Sequence, residues 1–334
     1  MNIEQIETLF FAGMNPVTYR LFRASMPERY YYDPDDPSCF LYPSVTTIIR
    51  NGSPGSAGLE RWKIQKAMEE GYANAGDVYA KERADFGTFM HSLNARFLMG
   101  DQITLDKIYE EYRNFLIFQL DVLEDDARRK ADKHTEELQK AFLGFAKFCF
   151  DFQLKPIGVE VLLKSDHGFA SAVDIMCELN FPIRGFWGET LASGANKGAP
   201  KMSTESKKIR AIIDMKSGKN LNEGYDLQLQ SYRMLVEENF PEFFTGPIID
   251  KEGIERVQRR PAFIWSPSEW KTEPGYKLTE RNEVEELWRM VLKQGVHRLR
   301  KSSEDKVLVM SGSLKIGSDP SGLVQEVSIK DRLK

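Results

Sequence analysis

The chain has 334 residues, with 46 Lys+Arg against 50 Asp+Glu, 41% hydrophobic residues and a formal net charge of −4. That length holds one large domain or two ordinary ones with a sizeable core, and 21 Phe, 12 Tyr and 5 Trp exclude disorder over most of it. No apolar run approaches membrane-spanning length. The stretch Met1 to Pro16 has Glu4 and Glu7 but no basic residue, unlike a secretory or transit segment, so a cytoplasmic protein is expected. Cys39, Cys149 and Cys177 lie far apart, which argues against a disulfide scaffold, a structural zinc site and an iron–sulfur cluster. The acidic balance does not by itself exclude nucleic acid. Basic clusters stand at Arg128-Arg129-Lys130, Lys207-Lys208-Ile209-Arg210, Arg259-Arg260 and Arg298-Leu299-Arg300-Lys301, although such clusters are usually solvated faces.

Residues 29–50 read as irregular chain in which the run from Ser44 to Ile49 leads into a short strand or a helix start. Asn51 to Gly58 reads as a turn. Residues 59–99 and 103–153 read as two helical blocks, the first with Phe89, Leu93, Phe97 and Leu98 at helical spacing, the second ending in a Phe-dense stretch that packs inward. The texture changes at Pro156. Gly158 to Leu163 and Phe169 to Cys177 read as strands joined by the turn Ser165-Asp166-His167-Gly168. Residues 181–208 read as a long exposed hairpin excursion. Ile209 to Met215 is a third strand, Tyr225 to Asn239 a helix, Pro261 to Trp265 a fourth strand, and Glu283 to Arg300 a closing helix. The fold expected is one integrated α/β domain: a helical N-terminal half over 1–155, a mixed central sheet flanked by helices over 156–300, and a tail over 301–334.

Chemistry is concentrated in a few positions. In Asp214-Met215-Lys216, strand alternation puts the acid and the amine on one face, at what reads as the exposed end of a buried strand. Such a triplet arises by chance roughly once in a few hundred residues, and a surface ion pair is its plain reading. Asp174 carries more weight, because a carboxylate inside Ala172-Val173-Asp174-Ile175-Met176 must be paired, bound to metal or neutralised. Glu160, between Val159 and Val161 one strand earlier, raises the same question. Three carboxylates on adjacent strands with one lysine suit Mg²⁺ or Mn²⁺ rather than zinc. Upstream, Gly87 and His91 lie one helical turn apart, and downstream Gln228 and Tyr232 do the same. Taken singly, these two pairs read as a packing histidine and a helix-surface contact.

The order GxxxH, Glu, Asp, D-x-K, QxxxY resembles the RecB-type branch of the PD-(D/E)XK nuclease superfamily. The opening Tyr42-Pro43-Ser44-Val45-Thr46-Thr47-Ile48, followed by Leu59 and Trp62, is similar to phage-encoded exonucleases and mitochondrial genome-maintenance exonucleases of that branch, over roughly residues 40–300. The resemblance implies a restriction-endonuclease-like core and a role for each residue. His91, Asp174, Asp214 and the Met215 carbonyl would bind Mg²⁺ or Mn²⁺. Glu160 would support a second metal or its water, and Lys216 would orient and help deprotonate the attacking water. Gln228, Tyr232 and Ser44 would contact the substrate backbone.

A metal-dependent DNA exonuclease of replication, recombination or repair is therefore expected, with no iron–sulfur cluster and no membrane partner. A recombinase or single-strand-binding protein would be a partner, and a bacterial host cytoplasm the compartment for a phage-encoded chain. The rivals are a structure-specific endonuclease on the same core and a non-catalytic DNA-binding recombination or packaging accessory. End dependence is expected from the helical block, whose Arg128, Arg129, Lys130 and Lys133 would close over a threaded strand.

Overall fold

A computed structural model describes residues 2–6, 10–11, 21–25, 28–33, 35, 41–53, 57–182, 193–195, 197–198, 206–218, 224–244, 248–249, 255–256, 260–268 and 274–313. In chain order the elements are β1 (Asn2–Ile6), β2 (Phe10–Phe11), β3 (Leu21–Ser25), β4 (Arg29–Tyr32), β5 (Leu41–Pro43), α1 (Val45–Gly52), α2 (Ala57–Glu70), α3 (Ala75–Leu98), α4 (Ile108–Phe118) and α5 (Glu124–Asp151). They continue with β6 (Lys155–Ser165), β7 (Phe169–Pro182), β8 (Ser206–Met215), α6 (Gly224–Asn239), β9 (Ile248–Ile249), β10 (Glu255–Arg256), β11 (Ala262–Pro267), β12 (Tyr276–Glu280) and α7 (Glu285–Ser313).

The centre is a mixed six-stranded sheet in the order β12-β11-β8-β7-β6-β2. Strands β6, β7 and β8 form an antiparallel meander, while β8 and β11 pair in parallel with α6 between them in sequence. A parallel pair needs such a crossover, because a tight turn cannot reverse the chain back to the same end. Strand alternation then divides the core. Ala211, Ile213, Met215, Phe263 and Trp265 join one apolar cluster with α3, α4 and α5, and Ile212, Ala262 and Ile264 join a second with α1, α6 and α7. Helices thus cover both faces of the sheet. The Phe-dense end of α5 packs inward as expected, with Phe145 edge-on to Trp265 at 5.3 Å between ring centroids.

Several expectations need correction. The N-terminal half is not helical throughout: β1, β3, β4 and β5 form a separate four-stranded sheet before α1 begins. Residues 44–52 are an N-cap and a helix, so the turn expected from Asn51 starts two residues later, at Ser53, and the block over 59–99 is two helices broken at Gly71 to Asn74. β12 was not anticipated, since Tyr-Lys-Leu-Thr-Glu carries no apolar run and none of its residues is fully buried. The closing helix runs to Ser313, beyond the boundary placed at 300. Strand pairing reaches Pro182↔Ser206, so the excursion between β7 and β8 is shorter than 181–208, and most of it lies outside the described residues. Cys39 also lies outside them, while Cys149 and Cys177 are free thiols. No helix among the described residues is long and apolar enough to cross a membrane.

Candidate metal centre

The site lies where α3 meets the middle of β6 and β7 and the C-terminal end of β8. His91 projects from α3 with Nε2 3.0 Å from the Met215 carbonyl oxygen. A carbonyl only accepts, so Nε2 carries the hydrogen, and Nδ1 faces the two acids at 3.7 Å from Glu160 Oε1 and 3.6 Å from Asp174 Oδ2. One ligand atom from each of His91, Glu160 and Asp174 lies within 4.8 Å of the others. A histidine that donates its other ring N–H to a backbone carbonyl is oriented and tautomerically fixed as a metal ligand is. Two carboxylate oxygens and one imidazole nitrogen are a donor set that could take a divalent cation.

The strand geometry behind this cluster is unusual. The ladder between β6 and β7 steps from Val159↔Ile175 to Val161↔Val173, passing over Glu160 and Asp174. Glu160 has φ +50, in the left-handed region that non-glycine residues rarely adopt. On β7, Val173 packs in the cluster on the α6 side and Ile175 in the cluster on the α5 side, so alternation slips by one residue at Asp174. A local break of this kind re-aims side chains. Here it brings two acids from facing strands to one imidazole.

The second half of the site is an ion pair. Lys216 Nζ lies 2.7 Å from both oxygens of Asp214, which is fully buried rather than at an exposed strand end. Lys216 also donates to Gln228 Oε1 at 3.2 Å, and Gln228 Nε2 donates to the Tyr232 hydroxyl at 2.7 Å. The Asp174 Oδ2 atom accepts from the Met215 N–H at 2.8 Å, joining the two halves through one residue.

Electrostatics separates the groups. Burial opposes the charge on His91, but Asp174 and Glu160 outweigh it and raise the imidazole to about 9. Burial pushes Asp214 up to about 6 against the pull of Lys216, and it raises Asp174 against the pull of His91. Lys216 is held above its ordinary value, because Asp214 and Asp174 outweigh the effect of burial. With its proton affinity raised to about 9, the His91 imidazolium and the Lys216 ammonium face the carboxylates of Glu160, Asp174 and Asp214, so ionised they leave one negative charge unmatched among these five groups, and loss of the His91 proton makes it two.

The residues singled out from sequence distribute differently from their expected roles. His91, Glu160 and Asp174 come together as a group that could hold a metal ion. Asp214 is engaged by Lys216 instead, and the Met215 carbonyl serves the histidine. Gln228 and Tyr232 meet as expected for an i, i+4 pair, but Tyr232 is buried, so the pair contacts Lys216 rather than a helix surface. Ser44 is buried at the N-cap of α1, with Oγ accepting from Thr47 N at 3.1 Å and donating to Thr47 Oγ1 at 2.9 Å. Its hydroxyl is committed to the helix end. The basic residues of α5 are paired too: Arg128 with Glu124, Arg129 with Asp126, Lys130 with Asp85 and Lys133 with Glu82. The Phe-rich end of the helical block packs onto the sheet.

Sequence reading missed Arg83. It stands four residues before Gly87 and eight before His91, on the same stripe of α3, and donates to the Ser217 carbonyl oxygen at 3.1 Å. The i, i+4, i+8 spacing was the available signal. Comparison with protein-family models and with curated proteins returned no match for this chain.

Proposed function

We propose that the chain is a metal-dependent phosphodiesterase acting on DNA, with exonucleolytic cleavage as its reaction. The observation that carries this reading is the cation-deficient cluster of His91, Glu160 and Asp174 beside a lysine held by Asp214. The order of motifs supports the DNA assignment: GxxxH on α3, Glu160 on β6, Asp174 on β7, Asp214-x-Lys216 at the end of β8 and Gln228-xxx-Tyr232 on α6 are joined by direct contacts.

His91, Glu160 and Asp174 would hold Mg²⁺ or Mn²⁺, which supplies Lewis acidity toward the phosphate and toward water when bound. To ligate through Nδ1, His91 would give up that proton while Nε2 stays on the Met215 carbonyl. Lys216, kept protonated by Asp214, donates to the phosphoryl oxygens as they gain charge. Lys216 would also orient the attacking water. Asp214 fixes the ammonium from one side and Gln228 from the other.

The test uses end-labelled and internally labelled linear DNA beside covalently closed circles, with Mg²⁺, with Mn²⁺ or with chelator. Release of label from linear DNA only, and only with metal, is expected. Equal digestion of circles would replace the exonuclease by an endonuclease, and full activity in excess chelator would refute the metal-dependent reading.

A further inference from the structure

One stripe of α3 contacts Met215, the last residue of β8, and Ser217, two residues beyond it. His91 meets the Met215 carbonyl at 3.0 Å. A Cβ on Gly87 would lie 3.3 Å from Ser217 Oγ, so the helix and the chain after Lys216 approach closely there. Arg83, a turn earlier, donates from Nη2 to the Ser217 carbonyl at 3.1 Å. Lys216 itself donates its backbone N–H to the Trp265 carbonyl at 2.9 Å. The catalytic lysine therefore sits on a segment held by β11 and, on both sides in sequence, by α3.

Arg83 is in turn oriented from a different element. Its Nη1 lies 2.8 Å from Glu137 Oε2 on α5, and its guanidinium stands over the Phe86 ring at 4.2 Å. Burial raises the Glu137 carboxyl, but its bonds to His134 and Arg83 outweigh burial and lower it to about 2, so the carboxylate stays charged under all ordinary conditions. His134, buried on α5, stands between Glu82 Oε1 at 2.5 Å and Glu137 Oε2 at 3.7 Å. A planar fork is what this geometry requires, since two nitrogens of one group must serve a carboxylate and a carbonyl at once.

We infer that Arg83 is a positioning residue for Lys216. It acts through the Ser217 carbonyl, braced by Glu137, and does not touch the substrate or the metal. This rests on the phosphodiesterase reading above. A displacement of roughly 1 Å at a reacting group can lower a rate by about a hundredfold, whereas a part-exposed ion pair contributes little to folding. Arg83→Ala is therefore expected to lower kcat by about 10- to 100-fold, with KM, Mn²⁺ affinity and melting temperature close to wild type. Arg83→Lys, with one ammonium in place of a fork, falls between the two.

The deciding experiment is a double-mutant cycle on end-labelled DNA with Arg83→Ala, Lys216→Ala and the pair, with melting curves for each. If Arg83 works through Lys216, Arg83→Ala costs nothing further once Lys216 is gone. The same fold-loss in both backgrounds would overturn the inference, as would wild-type kcat in Arg83→Ala. If Arg83→Ala does not fold, Arg83→Lys runs the same cycle. A wild-type protein that fails to cleave with Mg²⁺ or Mn²⁺ refutes the phosphodiesterase reading and this inference with it. Active wild type with an unaffected Arg83→Ala refutes this inference alone.

Discussion

His91 and His134 are each held between two carboxylates, and α3 takes part in both arrangements. Around His134 the charges match: Glu82 has Lys133 at 2.5 Å and Glu137 has Arg83 at 2.8 Å. Both acids have lowered proton affinities, because hydrogen bonds and cations outweigh burial. Around His91 the charges do not match. Asp174 and Asp214 have raised proton affinities, led by burial, and Glu160 takes a backbone conformation that costs energy. A satisfied cluster is a brace between helices. An unsatisfied one, maintained in a core, is poised to bind a positive charge.

The largest expected effect is on the reaction. Lys216→Ala should lower cleavage by about a hundred- to a thousandfold while DNA affinity stays within a few-fold, because the ammonium serves the transition state more than the bound state. The matched cluster provides the contrast. Glu82→Gln should leave the cleavage rate near wild type and destabilise the fold by about 1–2 kcal/mol, read from denaturant unfolding, since it weakens bonds to Lys133 and His134.

The next effect is pH dependence of metal binding. His91 is raised to about 9 and must lose its Nδ1 proton to ligate. Calorimetry should show apparent Mn²⁺ affinity climbing by about tenfold per pH unit from neutrality toward 9 and flattening above it. In metal-free protein the sign reverses. A folded-state pKa above the ordinary 6.5 contributes stability that is full below about 6.5 and fades as pH rises through about 9. A flat affinity across this range would mean that His91 is not a ligand.

The smallest effect concerns the strained strand. Glu160→Gly removes the left-handed penalty and should raise the melting temperature of the metal-free protein by about 2–4 °C over Glu160→Ala, while both lose most of the metal-induced shift. Equal melting temperatures for the two would show that φ +50 at Glu160 carries no cost.

Much of the core was legible because it rests on apolar runs. Ile209 to Met215 and Phe169 to Cys177 can pack only as buried strands, and Asp174 is conspicuous among their aliphatic residues. What stayed hidden depends on partners that sequence does not display. β12 is half exposed and stabilised by pairing with β11, and β4 and β5 likewise have no buried run to announce them. Glu160 comes beside His91 and Asp174 with a backbone angle that no propensity encodes. The pairing of Asp214 with Lys216 shows only in three dimensions, and Ser44 reads equally well as a substrate contact or as a helix cap until Thr47 is seen bonded to it. Arg83 is one arginine among many until Ser217 is placed beside it.

The central claim is that the mismatch at His91 marks a divalent-cation site and that the match at His134 does not. Equilibrium Mn²⁺ binding, followed by the loss of the free-ion electron paramagnetic resonance signal, tests it on wild type, Asp174→Asn, His91→Ala and Glu82→Gln at one pH. Binding by wild type and Glu82→Gln, with affinity reduced at least about a hundredfold in Asp174→Asn and His91→Ala, is predicted. Wild-type affinity in Asp174→Asn and His91→Ala, or no binding by any of the four, would contradict it.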